Sequence, residues 1–228
     1  MGWFGKKKPP ATITHTQTFE LRNPPRAVRM DVVEEIDQAL ARVGRTEVVH
    51  AIDPGRIVSF RDGGPPVWSV ALTEVAAHVP YTLLVTYGFS GVLSPEPERQ
   101  GICYEFSLAV GHQSPVHPWA VALLRHLCRY QLTSGNELMV GDVMPCHAPI
   151  THIPFPPEHH AAMPPTNTDS LVVVNDPVLG TIATPHGAIA VRRLVGITTQ
   201  ELRVIGPEPA AQRESIYGET NPDFITFL

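Results

Sequence analysis

Apolar residues recur at intervals of three and four between residues 30 and 43, which is the spacing of one face of an α-helix. The repeating positions are Met30, Val33, Ile36, Leu40 and Val43. Pro24 and Pro25 precede this stretch, and Gly44 stands where helices commonly end on glycine. The pattern predicts a first helix from Arg26 to Val43.

A second apolar face lies in the middle of the chain, from Pro118 to Thr133. Proline suits the first turn of a helix, and Gly135 is placed to end one. The positions predicted to face the core are Trp119, Leu123, Leu127 and Tyr130. We therefore expect a second main helix that packs on a sheet through these side chains.

Short runs rich in β-branched and aromatic residues indicate strands on both sides of this helix. The predicted strands are Glu47–Ile52, Ile57–Phe60, Val67–Val75, Tyr81–Tyr87, Gly101–Gly111, Leu138–Met144, Leu171–Asn175 and Gly187–Ile197, with Phe224–Leu228 as a last edge strand. In Gly101–Gly111, apolar side chains alternate with polar ones such as Glu105, which is typical of an antiparallel strand buried on one face only. Thr198 and Glu201 predict a capping box for a short helix that ends near Val204.

Strands outnumber helices in this prediction, and it lacks the regular helical crossovers of a doubly wound fold. The predicted fold class is therefore α+β, with a mixed, largely antiparallel sheet packed with two main helices. The length of 228 residues and the hydrophobic content of 43% suit one domain. We place it at residues 16–228, after a flexible basic segment at residues 1–15.

Charge and cysteine content narrow the possible functions. The formal net charge is −5, and basic residues cluster only at Lys6, Lys7 and Lys8, so a nucleic-acid partner is not expected. No apolar run has the length of a signal peptide or a membrane span. Three cysteines are too few for a disulfide scaffold, which indicates a reducing compartment and predicts a cytoplasmic protein.

A segment rich in proline, histidine and threonine, from Pro145 to Ser170, is predicted to form one long loop. Its candidate metal ligands are Cys146, His147, His152, His159 and His160, with His186 as a further candidate. Imidazole and thiolate are ligands that zinc prefers, but the paired C-x-x-C spacing of many structural zinc sites is missing. We predict no cofactor and no metal, and a metal-dependent enzyme that uses the Cys146–His160 loop is kept as an alternative.

Ser134, Asp142 and His147 are the candidate residues for a hydrolytic site. The chain lacks the G-x-S-x-G sequence of a nucleophile elbow, and Ser134 precedes a glycine that is placed to end a helix. Asp142 follows Gly141, which is typical of a carboxylate that bonds its own backbone in a turn. We predict that the protein is not an enzyme, and a hydrolase stays as an alternative.

Four stretches resemble the Suppressor of fused family, in the order in which the family has them. They are Tyr81–Ser90; Tyr104–Leu108; the residues Pro118-Trp119, Leu123-Leu124, Leu127, Arg129-Tyr130, Ser134-Gly135-Asn136, Gly141-Asp142 and His147; and Thr184–Gly187 with Leu194–Thr198 and Glu201-Leu202. Together they cover roughly residues 80–202. The resemblance implies a mixed-sheet α/β domain that acts through protein contact.

Animal members of that family bind and restrain a transcription factor and add a second, C-terminal domain, which we expect this chain to lack. Many short bacterial members are inferred, from their gene surroundings, to be immunity proteins that neutralise a secreted toxin. The resemblance predicts a non-catalytic protein-binding inhibitor whose partner is a cognate toxin, and the acidic balance suits a basic target. A regulatory scaffold that binds a peptide by strand addition at a sheet edge is a further alternative. No oligomeric state is predicted.

Loops and edges are left for recognition, because the apolar faces of helices and strands are committed to the core. In the Gly141–Ser170 segment the candidate partner-binding residues are Asp142, His147, Phe155, Glu158 and His159. In the Ser90–Gln100 segment they are Glu96, Glu98 and Arg99. A phenylalanine between prolines in a polar loop is expected to be half exposed, so Phe155 is predicted to be an interface anchor.

Overall fold

The computed structural model describes residues 13–15, 30–50, 69–90, 102–111 and 118–228. Its helices are α1 (Met30–Val43), α2 (Pro118–Ser134), α3 (Thr199–Ile205) and α4 (Ala210–Thr220), and a 3-10 helix spans Pro157–Ala162. Its strands are β1 (Ile13–His15), β2 (Arg45–His50), β3 (Ser69–Val75), β4 (Tyr81–Tyr87), β5 (Tyr104–Gly111), β6 (Val143–Pro145), β7 (Thr168–Asn175), β8 (Thr181–Thr184), β9 (Gly187–Thr198) and β10 (Ile225–Thr226). None of the helices in these ranges is long and apolar enough to cross a bilayer.

The described strands form one mixed sheet in the order β1-β2-β3-β4-β5-β9-β7-β6, while β8 pairs with β9 and β10 pairs with β5. Strands β2 to β5 make an antiparallel meander. Strand β9 joins β5 in parallel and pairs antiparallel with β7, which pairs antiparallel with the short β6. The predicted fold class, α+β with a mixed and largely antiparallel sheet, is confirmed.

Helices cover both faces of the sheet. On one face α1 buries Ile36 and Leu40 against strand residues that include Leu83 and Val85. Side chains alternate along a strand, so the intervening Leu84 points to the opposite face, where it packs in the cluster under α2. A third cluster lies under α3 and α4 and contains Val172, Val174, Val195, Ile205 and Tyr217. By the same alternation, this third cluster is on the face that carries α1.

Strand β5 is buried more completely than its sequence pattern predicts. Every residue from Tyr104 to Val110 is buried, whereas one face was expected to be exposed. The α2 cluster takes Phe106 and Leu108, and the α1 cluster takes Ala109 from the other face. The prediction of a half-buried strand was wrong because β5 is central and helices cover it on both sides.

The two main helices lie where the sequence predicts them. Within the described residues α1 begins at Met30, and α2 ends at Ser134, one residue beyond the predicted end. Trp119, Leu123 and Leu127 are buried as predicted. Tyr130 is 41% exposed, so its predicted core position was wrong. In the last turn of α2 Gln131 is the residue that faces inward, and its amide donates to the Tyr104 hydroxyl.

The C-terminal strand β10 lies inside the sheet, and the prediction of an edge strand was wrong. It pairs in parallel with β5 and also contacts β9, so it fills the gap where these two strands diverge. The Gly196 N–H donates to the Thr226 hydroxyl at 2.9 Å, and the Thr168 hydroxyl donates to the Phe227 carbonyl at 3.0 Å. A Cβ on Gly196 would lie 2.6 Å from the Thr226 side chain, so β10 can approach only a glycine.

Two predicted features of the C-terminal half differ from the structure. A strand was predicted over Leu138–Met144, but the chain turns at Gly141, whose φ of +89° is incompatible with a strand, and only β6 follows. The segment Pro145–Ser170 was predicted as one loop, yet it contains a 3-10 helix and the start of β7. The Ile150 N–H donates to the Thr168 carbonyl at 2.9 Å, which ties the segment to the sheet.

Strand β8 and helix α4 have no predicted counterpart. Tyr217 is the buried residue of α4, and one inward side chain does not give a periodic apolar face. Ile13–His15, at the end of the segment predicted to be flexible, pair with β2. Residues 1–12 and the predicted strand Ile57–Phe60 lie outside the described residues.

Candidate functional site

A tight turn at Gly141 and Asp142 connects the end of α2 to β6. The Asp142 carboxylate accepts a hydrogen bond from the Met139 N–H at 2.7 Å, and the Asp142 N–H donates to the Met139 carbonyl at 2.9 Å. Arg213 of α4 donates to the Gly141 carbonyl at 2.7 Å. A Cβ on Gly141 would lie 2.4 Å from the Ala210 carbonyl oxygen, so the turn packs directly on α4. The turn is therefore rigid.

Two large apolar side chains are exposed on the segment that leads into this turn. Tyr130 is 41% exposed and Met139 is 49% exposed. The Asn136 amide donates to the Tyr130 hydroxyl at 3.3 Å, so the segment folds back on the end of α2. From β9, Arg192 donates to the Leu138 carbonyl at 2.7 Å and holds the segment to the sheet. We call the surface formed by Tyr130, Asn136, Met139 and Asp142 the Tyr130 patch.

The structure does not assemble Ser134, Asp142 and His147 into a catalytic triad. The Ser134 hydroxyl accepts a hydrogen bond from the Asn136 N–H at 3.1 Å, and Asp142 bonds its own turn. His147 follows β6 and lines a different surface, beside Pro149 and Thr199. In the part of the chain that the structure describes, no hydrogen bond joins the three side chains.

The histidine-rich segment brings two rings together. His152 and His160 stack with ring centroids 4.2 Å apart, and a ring nitrogen of His160 is 3.0 Å from the Phe155 carbonyl oxygen. His159 is exposed on the 3-10 helix. His186 pairs with Asp31 at the start of α1, so it is not a further member of this group.

Cys146 lies in an environment that disfavours its thiolate. Burial raises the pKa of its thiol to about 11, and the negative charge of Asp169 adds to the rise. Zinc binds the thiolate, which this environment disfavours. Across the described ranges, no group of three or more His, Cys, Asp or Glu side chains is arranged to hold a metal ion.

The remaining predicted binding residues fall into two sets. Phe155 is half-buried, as predicted, and packs against the cluster under α2, while Glu158 and His159 are exposed. Together with Asp142 and His147 they lie on the segment between the α2 turn and β7. The other predicted residues, Glu96, Glu98 and Arg99, lie outside the described residues.

Glu105 of β5 is a buried carboxylate, although the strand pattern placed it on an exposed face. Its Oε1 accepts from the Ser90 N–H at 2.8 Å and the Ser90 hydroxyl at 2.6 Å, and its Oε2 accepts from the Phe89 N–H at 3.2 Å and from the Thr86 hydroxyl. Burial raises the pKa of Glu105 to about 7, although these hydrogen bonds oppose the rise. The carboxylate joins the first two of the four family-like stretches. No solvent reaches it, so we interpret Glu105 as structural.

A second buried polar group connects β5, β9 and the turn after β7. Arg193 of β9 donates to Asp176 at 2.8 Å and to the Asp223 carbonyl at 2.6 Å. The Ser107 hydroxyl donates to the same Asp176 oxygen, and the Tyr81 ring lies 5.8 Å from the guanidinium carbon. Sequence reasoning missed this group because neither Arg193 nor Asp176 belongs to a motif that predicts pairing. Its closure to solvent excludes it as a binding site.

Comparison with known proteins agrees with this architecture. Among solved structures, the fold is similar to the Sufu–Fu complex, with a TM-score of 0.67 and 18% identity over 90% of this chain and 91% of that one. Drosophila Suppressor of Fused also gives a TM-score of 0.67 at 18% identity, over 89% of this chain and 50% of that one. A Suppressor of fused homologue from Neisseria gonorrhoeae FA 1090 gives 0.58 at 12% identity, over 87% and 92% of the two chains.

Sequence comparison agrees with the structural likeness. The human and mouse Suppressor of fused homologues are 25% identical to this chain over 157 residues, which is 66% of this chain and 30% of each relative. The chain thus spans less than a third of the length of these relatives. The family model for Suppressor of fused protein matches residues 53–212. The chain therefore belongs to the Suppressor of fused family.

Proposed function

We propose that this protein is a non-catalytic protein-binding domain and that the Tyr130 patch is its main contact surface. Family membership supports a role in protein contact, and one structural relative was solved as a Sufu–Fu complex. The candidate catalytic hydroxyl and carboxylate, Ser134 and Asp142, each accept a hydrogen bond from a nearby backbone N–H. Because both groups are engaged in local structure, a binding role is favoured over a catalytic one.

One observation carries the proposal: Tyr130 and Met139 are exposed on a segment that the fold holds rigid. Aromatic and methionine side chains are enriched at interfaces, and tyrosine is a frequent hot-spot residue. A rigid anchor loses little conformational entropy when a partner binds. The Asp142 carboxylate beside these side chains adds a polar contact that can set the partner's orientation.

The Phe155 region would extend the contact along the same segment. Phe155 is half-buried against the core, and Glu158 and His159 are exposed on the 3-10 helix beside it. A stable complex needs about 800 Å² from each partner, which is more than the Tyr130 patch alone offers.

For the partner we propose a toxin made by the same organism, which the protein neutralises by occluding the active site of the toxin in the cytoplasm. The net charge of −5 suits a basic target, because complementary charge speeds encounter. The chain spans 30% of its curated relatives, so the partners of those longer proteins are not carried over.

Strand addition at the β6 edge of the sheet is the less favoured mode of binding. Among the described strands, β6 is terminal on one side, but it has three residues and ends in Pro145, which has no N–H to donate. Short edge strands that contain proline are typical of edges protected from further pairing.

The test is calorimetric titration against a secreted toxin encoded next to this gene. We expect Tyr130→Ala to weaken binding at least tenfold, since hot-spot truncations cost about 2 kcal/mol or more. Phe155→Ala and Glu158→Lys should weaken it to a smaller extent. Val79→Ala is the matched control, because Val79 is 40% exposed in the turn between β3 and β4. Unchanged affinity in Tyr130→Ala and Phe155→Ala would overturn the proposed surface, and turnover of a substrate by the purified protein would overturn the non-catalytic role.

A further inference from the structure

An open depression of about 520 Å³ lies beyond the far end of β6 from the Tyr130 patch. Three segments form it: the residues after β6, the residues that enter β7 and the start of α3. Its lining residues are His147, Ala148, Pro149, Thr166, Asn167, Asp169, Thr198, Thr199 and Gln200. The volume is ample for one long side chain of a partner.

Asp169 is the only acidic residue of this lining, and no Lys or Arg is among the lining residues described at this surface. Its Oδ2 accepts from the Thr199 hydroxyl, and its Oδ1 accepts from the Ser170 hydroxyl at 3.2 Å. Both donors are neutral, so they orient the carboxylate without cancelling its charge. An ionised carboxylate has about four acceptor positions, and these bonds use two.

The rest of the lining suits the stem of a basic side chain. Ala148 and Pro149 provide an aliphatic wall, against which the methylene groups of lysine or arginine pack well. Asn167 and Gln200 bring amide oxygens, which accept hydrogen bonds from a guanidinium or ammonium group. A carboxylate beside an apolar wall selects for cations over neutral groups.

The depression is preformed by hydrogen bonds on each side. The Cys146 N–H donates to the Asp169 carbonyl at 2.9 Å, which fixes the residues after β6 against β7. At the start of α3, Thr198 and Glu201 form a reciprocal capping box, with the Glu201 N–H donating to the Thr198 hydroxyl at 3.2 Å. The predicted capping box is thereby confirmed, and it places the Glu201 charge close to the rim. A preformed site binds a side chain at a lower entropic cost.

The depression lies on the same segment as part of the surface proposed for partner binding. Asp142 precedes β6 and His147 follows it, so the chain between them spans no more than roughly 17 Å at about 3.3 Å for each residue. An interface of standard size covers both positions. We infer that this depression receives a basic side chain, preferentially arginine, from the protein partner, an inference that rests on the proposed function.

The test uses the full chain and a small probe, Nα-acetyl-L-arginine amide, with the neutral citrulline analogue as the matched ligand. In 15N chemical-shift titrations we expect saturable shifts at the amides of Asp169, Thr199 and Gln200, with millimolar affinity. Citrulline amide and the variant Asp169→Asn should each weaken binding about three- to tenfold, the range for a partly exposed charge pair. Glu219→Gln, which removes an exposed carboxylate on α4, should leave the affinity unchanged.

Equal binding of the arginine and citrulline probes, unchanged affinity in Asp169→Asn, or no saturable shift at these amides would each overturn the inference. A thermal melt of Asp169→Asn checks that the fold is intact, since asparagine can still accept from Thr199. The proposed function fails separately, if the arginine probe binds here and the toxin does not. Conversely, toxin binding that is unchanged in Asp169→Asn would overturn this inference and leave the proposed function intact.

Discussion

Arg193 and Asp176 form an ion pair of 2.8 Å in which neither side chain reaches solvent. Removing one partner of such a pair leaves an uncompensated buried charge, which costs about 3–5 kcal/mol. We expect Asp176→Ala to lower the free energy of unfolding by this amount, measured by urea denaturation. The loss includes the hydrogen bond from Ser107 to the same carboxylate.

The exposed pair of Arg192 and Glu137 is the matched control for that variant. Its nitrogen–oxygen distance is 2.9 Å, close to that of the buried pair, but the Glu137 side chain is half exposed. Exposed pairs contribute about 0–1 kcal/mol, so Glu137→Gln should change the stability little. Equal losses in Asp176→Ala and Glu137→Gln would contradict the role assigned to burial.

The stability of the protein should depend on the titration of Glu105. Its pKa is about 7 in the folded protein against 4.5 ordinarily, because burial disfavours the charged form. Protonated Glu105 makes its full contribution to the free energy of unfolding below about pH 4.5, where the folded and the unfolded protein both bind the proton. This contribution falls as the pH rises, because the unfolded chain releases the proton first, and it is lost above about pH 7. The free energy of unfolding should differ by roughly 3 kcal/mol between these two limits.

Glu105→Gln removes this titration and keeps the hydrogen bonds to Ser90 and Thr86, while the Phe89 N–H loses its acceptor. The amide oxygen can accept from Ser90, and the amide N–H₂ can donate to the Thr86 hydroxyl, which also lies 3.3 Å from the Phe106 carbonyl oxygen. Urea titrations from pH 5 to pH 8 should show the wild type losing stability relative to this variant as the pH rises. Parallel curves for the two proteins would contradict the raised pKa.

Gly141→Ala should destabilise the Asp142 turn. The φ of +89° strains any residue with a side chain, and the new Cβ would meet the Ala210 carbonyl oxygen. We expect a loss of about 2–4 kcal/mol in thermal or urea unfolding. Gly135→Ala separates the two causes, because Gly135 has a φ of +72° but no atom within 4 Å of the added Cβ. It should cost only about 1 kcal/mol, and a loss equal to that of Gly141→Ala would exclude the contact with Ala210 as a cause.

Leu127→Ala tests the orientation of α2. Leu127 is almost fully buried against the sheet, so the large-to-small change should cost about 2–5 kcal/mol. Tyr130→Ala, three residues further along the same helix, should cost less than about 1 kcal/mol, because the ring is exposed. Thermal melts that rank the two variants in the opposite order would show that α2 is turned differently.

Local sequence patterns were sufficient to predict the elements that are stabilised by residues close to one another in the chain. The helices α1 and α2, the β4 run and the capping box of α3 depend on neighbours within a few residues, and each was confirmed, although the predicted core position of Tyr130 in α2 was wrong. The family-like stretches were also visible, although their physical roles were not. Gly141 and Gly196, for example, are needed for close approaches by Ala210 and Thr226, which follow them by tens of residues.

Tertiary structure alone decided the features that depend on residues distant in the chain. β5 is buried on both faces because helices from two distant segments cover it, and β10 enters the sheet because β5 and β9 diverge. Tyr130 is exposed because Gln131 takes the inward position. The depression at Asp169 also depends on distant residues, since Asp169 and Thr199 come from two segments 30 residues apart. A side-chain pattern reports the preferred local conformation, whereas burial and charge pairing depend on which distant surfaces the chain brings together.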